Sequence, residues 1–434
     1  MNNFKHLQRV LFKEVQYLNR FKSLFVENSK SDFVRKRKLS FDKTIMDIIS
    51  LETGSLKDEL LKLNNYAIDT PSTSAFVQAR SKIRVEAFET LFKNFNSHSR
   101  KEKTYKGYRL LAIDGSTLPI DNSIIDDETT QIKVNQSNKT FSAFHLNASY
   151  DLLECSYDDL IIQGQNHMDE NDAFCRIVDR YKGTQSIFIA DRGYESYNGC
   201  AHVANSKNKY LIGIKDIHSK TSMARSFGPF SEEEFDIDIK RILTLKCTNE
   251  IKSNPEIYKW VPSNMNFDYM SKEYPYYDFE CRLVRFKIAE GTYECIITNL
   301  NHDSFTTEEI KELYHKRWGI ETSFREIKYA LGLNALHAKK RKLIKQEIYA
   351  RILLYNFSQR IIGNIHIKHK KTKYIYQINF TRAFHIIRKF INKKSGNPLI
   401  DDLIAKEILP IRLGRHNMRN LSPKKVVCFN YRFD

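Results

Sequence analysis

Apolar and polar positions divide the chain into a helical beginning, an alternating middle and a basic end. From residue 1 to about 98, apolar residues recur at helical spacing, as in FDKTIMDIISLETGSLKDELLKL and FVQARSKIRVEAFETLFKNF. TPSTS precedes the second segment and offers a Pro with several Ser and Thr capping groups. A helical unit of this kind suits DNA binding, and it equally suits a cap on a core domain.

After the basic stretch SHSRKEKTYKGYR, LLAIDGSTLPI predicts a buried strand with Asp114 at its end. SIFIADRGYES delivers Asp191 in the same way, just before an Arg-Gly turn. Between them CSYDDLIIQG predicts a strand and MDENDAFCRIVDRY a helix, an alternation that argues for an α/β core with some parallel pairing. A helix over 199–207 and the strand YLIGIK, with Lys215 at its end, follow. The stretch 221–277 loses helical periodicity and predicts a β-rich insertion. FECRLVRFKI and YECIITNL, joined through Ala-Glu-Gly-Thr, predict a hairpin. Thr306-Thr307-Glu308-Glu309 marks the start of another helix.

Past residue 339 basic residues recur in AKKRKLIK, IHIKHKKTKY, FHIIRKFINKK and LGRHNMRNLSPKK, and AFHIIRKFI predicts a helix. The expected organisation is a helical region over 1–98, a core in two parts over 99–220 and 291–360, an insertion over 221–290, and a basic, partly helical region over 361–434.

Composition narrows the function. The chain has 434 residues, 41% of them hydrophobic, enough for a sizeable core. A formal net charge of +18 points to a polyanionic partner, nucleic acid ahead of membrane. The N-terminus lacks the apolar segment of a secretory signal, and no apolar run approaches the ~18 residues that span a bilayer. A cytoplasmic, nucleoid-associated protein is expected. The 7 cysteines are scattered, with no C-x-x-C pair, so free thiols are expected rather than disulfides or a thiolate zinc site.

Candidate chemistry concentrates in LYHKRWGIETSFREIKYALGL, residues 313–333. On one helix, Tyr314 and Lys328 lie within about 20° of the line through Glu321, and Arg317 about 40° from it. A plain surface helix with ion pairs such as Glu321 to Arg317 or Arg325 explains the same spacing. Asp114 and Asp191 alter the balance. Two strand-end aspartates and a distant helical glutamate are the hard oxygen ligands that two-metal phosphoryl chemistry uses with Mg²⁺ or Mn²⁺. Taken singly, Asp114 also fits a tight Asp-Gly turn, and Asp191 a pairing with Arg192.

LLAIDGSTLPI, FIADRGYES and the 314–328 segment, in that order, resemble the DDE transposases of bacterial insertion sequences. They look most like the insertion-sequence family four branch, which carries Tyr, Arg, Glu and Lys at the spacing of Tyr314, Arg317, Glu321 and Lys328. The resemblance implies an RNase H-like core interrupted by a β-rich insertion. It implies Asp114, Asp191 and Glu321 as a triad holding two Mg²⁺ ions, with Mn²⁺ able to substitute. It also implies Tyr314, Arg317 and Lys328 on the DNA, and with them we assign Arg192, Lys215 and Arg325. The implied activity is cleavage at terminal inverted repeats and 3′-hydroxyl strand transfer into target DNA, by a homodimer assembled on double-stranded DNA. Relatives commonly carry an Arg in the strand where this chain has Gly213, and some wedge a Trp from the insertion into the DNA, for which Trp260 is the candidate. The alternative is an inactive or domesticated DNA-binding regulator or inhibitor of transposition.

Overall fold

The computed structural model describes residues 3–132, 140–367, 374–393 and 398–411. Most of IHIKHKKTKY, all of LGRHNMRNLSPKK, and Cys428 lie outside the described residues.

The chain opens with α1 (Asn3–Arg20), α2 (Phe41–Ser50), α3 (Leu56–Leu63), α4 (Thr73–Ser81) and α5 (Val85–Ser99). Ser40, Ser55 and Ser72 cap α2, α3 and α4 by accepting from a backbone N–H of the first turn. The single helix expected through FVQARSKIRVEAFETLFKNF is thus two. It breaks because Ile83 forms a bridge with Val26, and the backbone of Lys82 and Arg84 bonds to Glu27 and Phe25 instead of continuing the helix.

The middle of the chain builds one ten-stranded mixed sheet. Its elements are β1 (Arg109–Ile120), β2 (Thr130–Ile132), β3 (Thr140–Asp151), β4 (Ser156–Gly164), α6 (Glu170–Arg180), β5 (Ser186–Ala190), α7 (Tyr197–Asn205), β6 (Lys209–Ile214), β7 (Phe235–Thr244), α8 (Asn249–Ser253), β8 (Tyr258–Trp260), β9 (Tyr276–Ala289) and β10 (Thr292–Thr298). Then come α9 (Thr307–Lys316), α10 (Trp318–Tyr329), α11 (Arg341–Ile362), β11 (Tyr376–Ile378), α12 (Phe380–Ile391), α13 (Ile400–Lys406) and β12 (Ile408–Pro410), with β11 and β12 forming a small separate pair.

The large sheet runs β2-β3-β1-β5-β6-β10-β9-β7-β8, with β4 also on β3. β1, β5 and β6 are parallel neighbours, whereas β3 and β4 extend the sheet antiparallel. The inserted strands continue this same sheet, because β10 pairs antiparallel with β6. The hairpin turn between β9 and β10 has Gly291 at φ +67°, the left-handed conformation that glycine adopts without strain.

Side-chain alternation along β1 sorts the layers. Leu111 and Ile113 pack with α6 and α7, whereas Leu110 and Ala112 pack with clusters that include α9 and α10. α11 is buried almost all round and joins the first five helices to the sheet in one core. Its Glu347 takes a 2.7 Å ion pair from Arg80 of α4, both side chains 1% exposed. Among the described residues, no helix is long and apolar enough to cross a membrane.

Candidate active site

β1 and β5 pair in parallel from Arg109 beside Ser186 to Ile113 beside Ala190. The next residue on each chain is an aspartate, so the register itself brings Asp114 and Asp191 together. Alternation turns both toward the α9–α10 layer, since Ala112 and Ile189 face that way. β1 does not end at Asp114. It continues against β3 to Ile120, with Asp114 opposite Ala148, so the expected strand end and Asp-Gly turn are replaced by an uninterrupted strand. Gly115 has a packing reason instead: a methyl group there would collide with His145 Nε2 and Glu170 Oε1. Asp191 does leave its strand, and it caps a short turn over 192–194 by accepting from the Gly193 N–H at 2.8 Å. Among the described residues no ion pair joins it to Arg192.

The stripe expected on one helix is carried by two. α9 ends at Lys316 and α10 begins at Trp318, with three-residue hydrogen-bond spacing at the joint, Arg317 N–H to Tyr314 O and Ile320 N–H to Arg317 O, both 3.1 Å. The α9 start is as expected, a capping box between Thr306 and Glu309. Arg317, at the joint, is buried between the rings of Tyr314 and Trp318, 5.5 and 4.9 Å from its guanidinium carbon, and donates to Glu321 Oε1 at 3.0 Å.

Electrostatics ties the three acids together. Burial, helped by the charges of Asp191 and Glu321, pushes the Asp114 carboxyl up to about 7, against the opposing pull of the Gly115 N–H and Arg317. Among the described residues, no three His, Cys, Asp or Glu side chains stand close enough together to enclose a metal ion as they are placed.

The other expected site residues separate by exposure. Tyr314 is buried, its hydroxyl over Gly213 in the space that a side chain there would need, and burial pushes its phenol up to about 12. The Gly213 departure therefore has a structural cause: a larger residue would displace the Tyr314 ring. Lys328 donates to Ser116 Oγ at 2.7 Å and Thr117 O at 2.8 Å, which fastens α10 to β1 just past Asp114. Burial lowers its pKa, with the Asp114 charge working against that shift. Arg192, Lys215 and Arg325 are exposed. Glu326 turns away, accepting from the Tyr355 hydroxyl at 2.8 Å.

Sequence reasoning passed over Trp318, which is 47% exposed beside Arg317 and lines a depression of about 490 Å³ with Tyr314, Glu294 and Lys311. Its position after the Arg was the available signal. Trp260 is also exposed, but it lies on β8, the last strand of the sheet. Five inter-strand steps separate β8 from β5, roughly 24 Å at the usual spacing.

Residues 105–357 match the family model described as Transposase DDE domain, and the chain belongs to that family. The transposase for insertion sequence element IS421 of Escherichia coli is 38% identical over 73 residues, 17% of this chain and 20% of that protein. The transposase assigned to insertion sequence element IS5377 of Geobacillus stearothermophilus is 21% identical over 223 residues, 51% of this chain and 50% of that one. The chain thus spans from a fifth to a half of the length of these curated relatives. A piggyBac transposase in a synaptic complex with hairpin DNA is similar over 96% of this chain and 87% of its own, at 10% identity and a TM-score of 0.49, too low to establish a shared fold.

Proposed function

We propose that this chain is the transposase of a bacterial insertion sequence, cutting DNA at terminal inverted repeats and joining the freed 3′-hydroxyl ends to target DNA. The observation that carries this reading is the meeting of Asp114 and Asp191 on adjacent parallel strands, in a field shared with Glu321, within a chain of the DDE family. The strand order β4-β3-β1-β5-β6, three antiparallel and then two parallel, supports an RNase H-like core with β7–β9 as its insertion. The Tyr314, Arg317, Glu321 and Lys328 spacing supports the insertion-sequence family four branch.

DDE transposases generally use divalent metal ions. Asp114, Asp191 and Glu321 offer hard oxygen donors, and the charges of Asp191 and Glu321 bear on the buried Asp114 carboxyl, an arrangement that suits Mg²⁺, with Mn²⁺ as substitute. Bound there, two such ions supply activation of the attacking oxygen and charge stabilisation at the leaving one. The chain's own part is positional. The sheet holds Asp114 and Asp191 rigidly, and Arg317 orients Glu321. Lys328 gives two of its three N–H donors to β1 and keeps one for a phosphate. Arg192, Lys215 and Arg325, all exposed, would neutralise further phosphates. In the N-terminal region, a groove of about 710 Å³ lined by Lys30, Arg35, Arg37 and Lys38 of the segment before α2, and by Lys82 after α4, supports DNA binding there. By family resemblance the working form is a homodimer on two transposon ends, in the cytoplasm with the nucleoid.

A strand-transfer assay tests the reading. Duplexes ending in the sequences that flank the gene, with free 3′-hydroxyls, are incubated with the protein, Mg²⁺ and a plasmid. Covalently joined products are expected, and bound ends that never join count against the reading. One observation favours a second reading, a DNA-binding regulator that does not cut: the acids are not drawn into a closed ligand set, and Glu321 is held by Arg317.

A further inference from the structure

Across β1 from Glu321 lies a fourth acid that the triad does not include. Glu170 stands in the first turn of α6, and His145 projects from β3 to meet it, Nε2 2.9 Å from Oε1 but off the line of a hydrogen bond. Both crowd the gap that Gly115 leaves beside Asp114. The other oxygen, Oε2, reaches the turn after β5. It is 4.0 Å from the point where a Gly193 side chain would begin, and Asp191 Oδ1 is 3.0 Å from that same point.

Two further groups face this space. The imidazole of His145, 6% exposed, has Nδ1 3.4 Å from Thr117 Oγ1 and leaves Nε2 without a hydrogen bond. The Tyr194 hydroxyl, also buried, has no hydrogen-bond partner either, and the charges of Glu170, Asp114 and Asp191 all bear on it. Buried polar groups in native proteins are nearly always bonded, and a bound ion is one of the ways in which an exception is satisfied. Here two unbonded groups lie beside Glu170 and Asp191, while Glu170 itself is 34% exposed and open to solvent.

We propose that Glu170 is a fourth carboxylate of the divalent-cation site, approaching Asp191 from the opposite face of the sheet, with the His145 imidazole and the Tyr194 hydroxyl beside it. The proposal rests on the reading of Asp114 and Asp191 as cation ligands, and adds to it a residue outside the triad. Glu170 contributes negative charge and an oxygen at the outer side of the site, where outer partners typically alter metal affinity by about 10–100-fold. It also gives the glycine after Asp114 a functional reason, since any side chain at 115 would push Glu170 and His145 aside.

The test is a Mn²⁺ titration of the full chain without DNA, with free Mn²⁺ followed by electron paramagnetic resonance, on wild type, Glu170→Gln and Asp191→Asn. Glu170→Gln is expected to bind Mn²⁺ about tenfold more weakly, with the metal-free melting temperature unchanged. Wild-type affinity in Glu170→Gln, with binding lost in Asp191→Asn, overturns the fourth carboxylate and leaves the triad reading standing. Wild-type affinity in Asp191→Asn overturns both. If Glu170→Gln does not fold, Glu170→Asp takes its place: weaker Mn²⁺ binding supports the proposal, and wild-type affinity overturns it.

Discussion

Asp114 and Asp191 share one level of the sheet, because each follows the last residue of the parallel β1–β5 pairing, Ile113 beside Ala190. Asp114 sits within β1 and Asp191 directly follows β5, so replacing either with Asn removes a carboxylate while leaving the sheet pairing intact. Asp114→Asn or Asp191→Asn should therefore lower Mg²⁺-dependent cleavage by about 100-fold or more with little loss of stability. Gel assays beside thermal melts check both halves. A variant that cuts as wild type does would remove that residue from the site.

Gly213 and Tyr314 form a second fixed relationship, the tyrosine hydroxyl filling the space of the missing side chain. Gly213→Ala should destabilise the protein by about 1–3 kcal/mol through overpacking. The same change in a Tyr314→Phe background should cost less, because the nearest colliding atom is gone, while the ring carbon Cζ, 2.8 Å from the added methyl, still presses. Denaturant unfolding of the four proteins in the cycle measures the coupling, and additive effects would show that the ring moves freely.

Lys328 fastens α10 to β1, and a DNA contact is the second role proposed for it. Lys328→Ala should cost about 1–3 kcal/mol of stability, since charge-assisted bonds to Ser116 and Thr117 are lost. It should also reduce the salt dependence of end binding by about one phosphate contact. Binding isotherms across a salt series give the slope. A changed stability with an unchanged slope would leave Lys328 with the first role alone.

A pH effect is expected away from the triad. His202 on α7 bonds Asp179 through Nδ1 at 2.7 Å and Asp268, in the inserted region, through Nε2 at 2.9 Å. Burial alone would depress its pKa, but the bonds to the two carboxylates outweigh that and raise it above 6.5. A raised folded-state value means the stabilisation is fully present below pH ~6.5 and is lost as pH rises through the folded value. His202→Gln should thus be less stable than wild type at pH 5.5, by no more than about 1 kcal/mol because the carboxylates are exposed, and equal to it at pH 9. Equal melting at both pH values would contradict the charged pairing.

Local sequence carried much of this architecture. The hairpin of β9 and β10, the capping box at Thr306 and Glu309, and α6 all follow from nearby residues. β3 was not legible, because His145, Asn147, Ser149 and Asp151 are buried polar residues that hide the strand pattern. α11 escaped for a related reason. It is buried on every side, with Gln346, Glu347, Arg351 and Asn356 inside, so it has no polar face to reveal its period. The residue types of the candidate site could be read from motif spacing, but the adjacency of Asp114 and Asp191 comes from strand register across more than seventy residues. The same holds for Tyr314 over Gly213 and for Glu170 beside Gly115, which no local window contains.

Whether Glu321 completes a cleaving site is read by comparing wild type with Glu321→Gln on DNA carrying the sequences that flank the gene, with Mg²⁺ present. Glu321→Gln keeps the bulk of the side chain and the neighbouring cations but removes the carboxylate. Cuts at flanking inverted repeats by wild type alone, with end binding retained in both proteins, are the outcome expected of a triad of Asp114, Asp191 and Glu321. Cutting by Glu321→Gln at the wild-type rate, or binding without cutting by wild type, would contradict it.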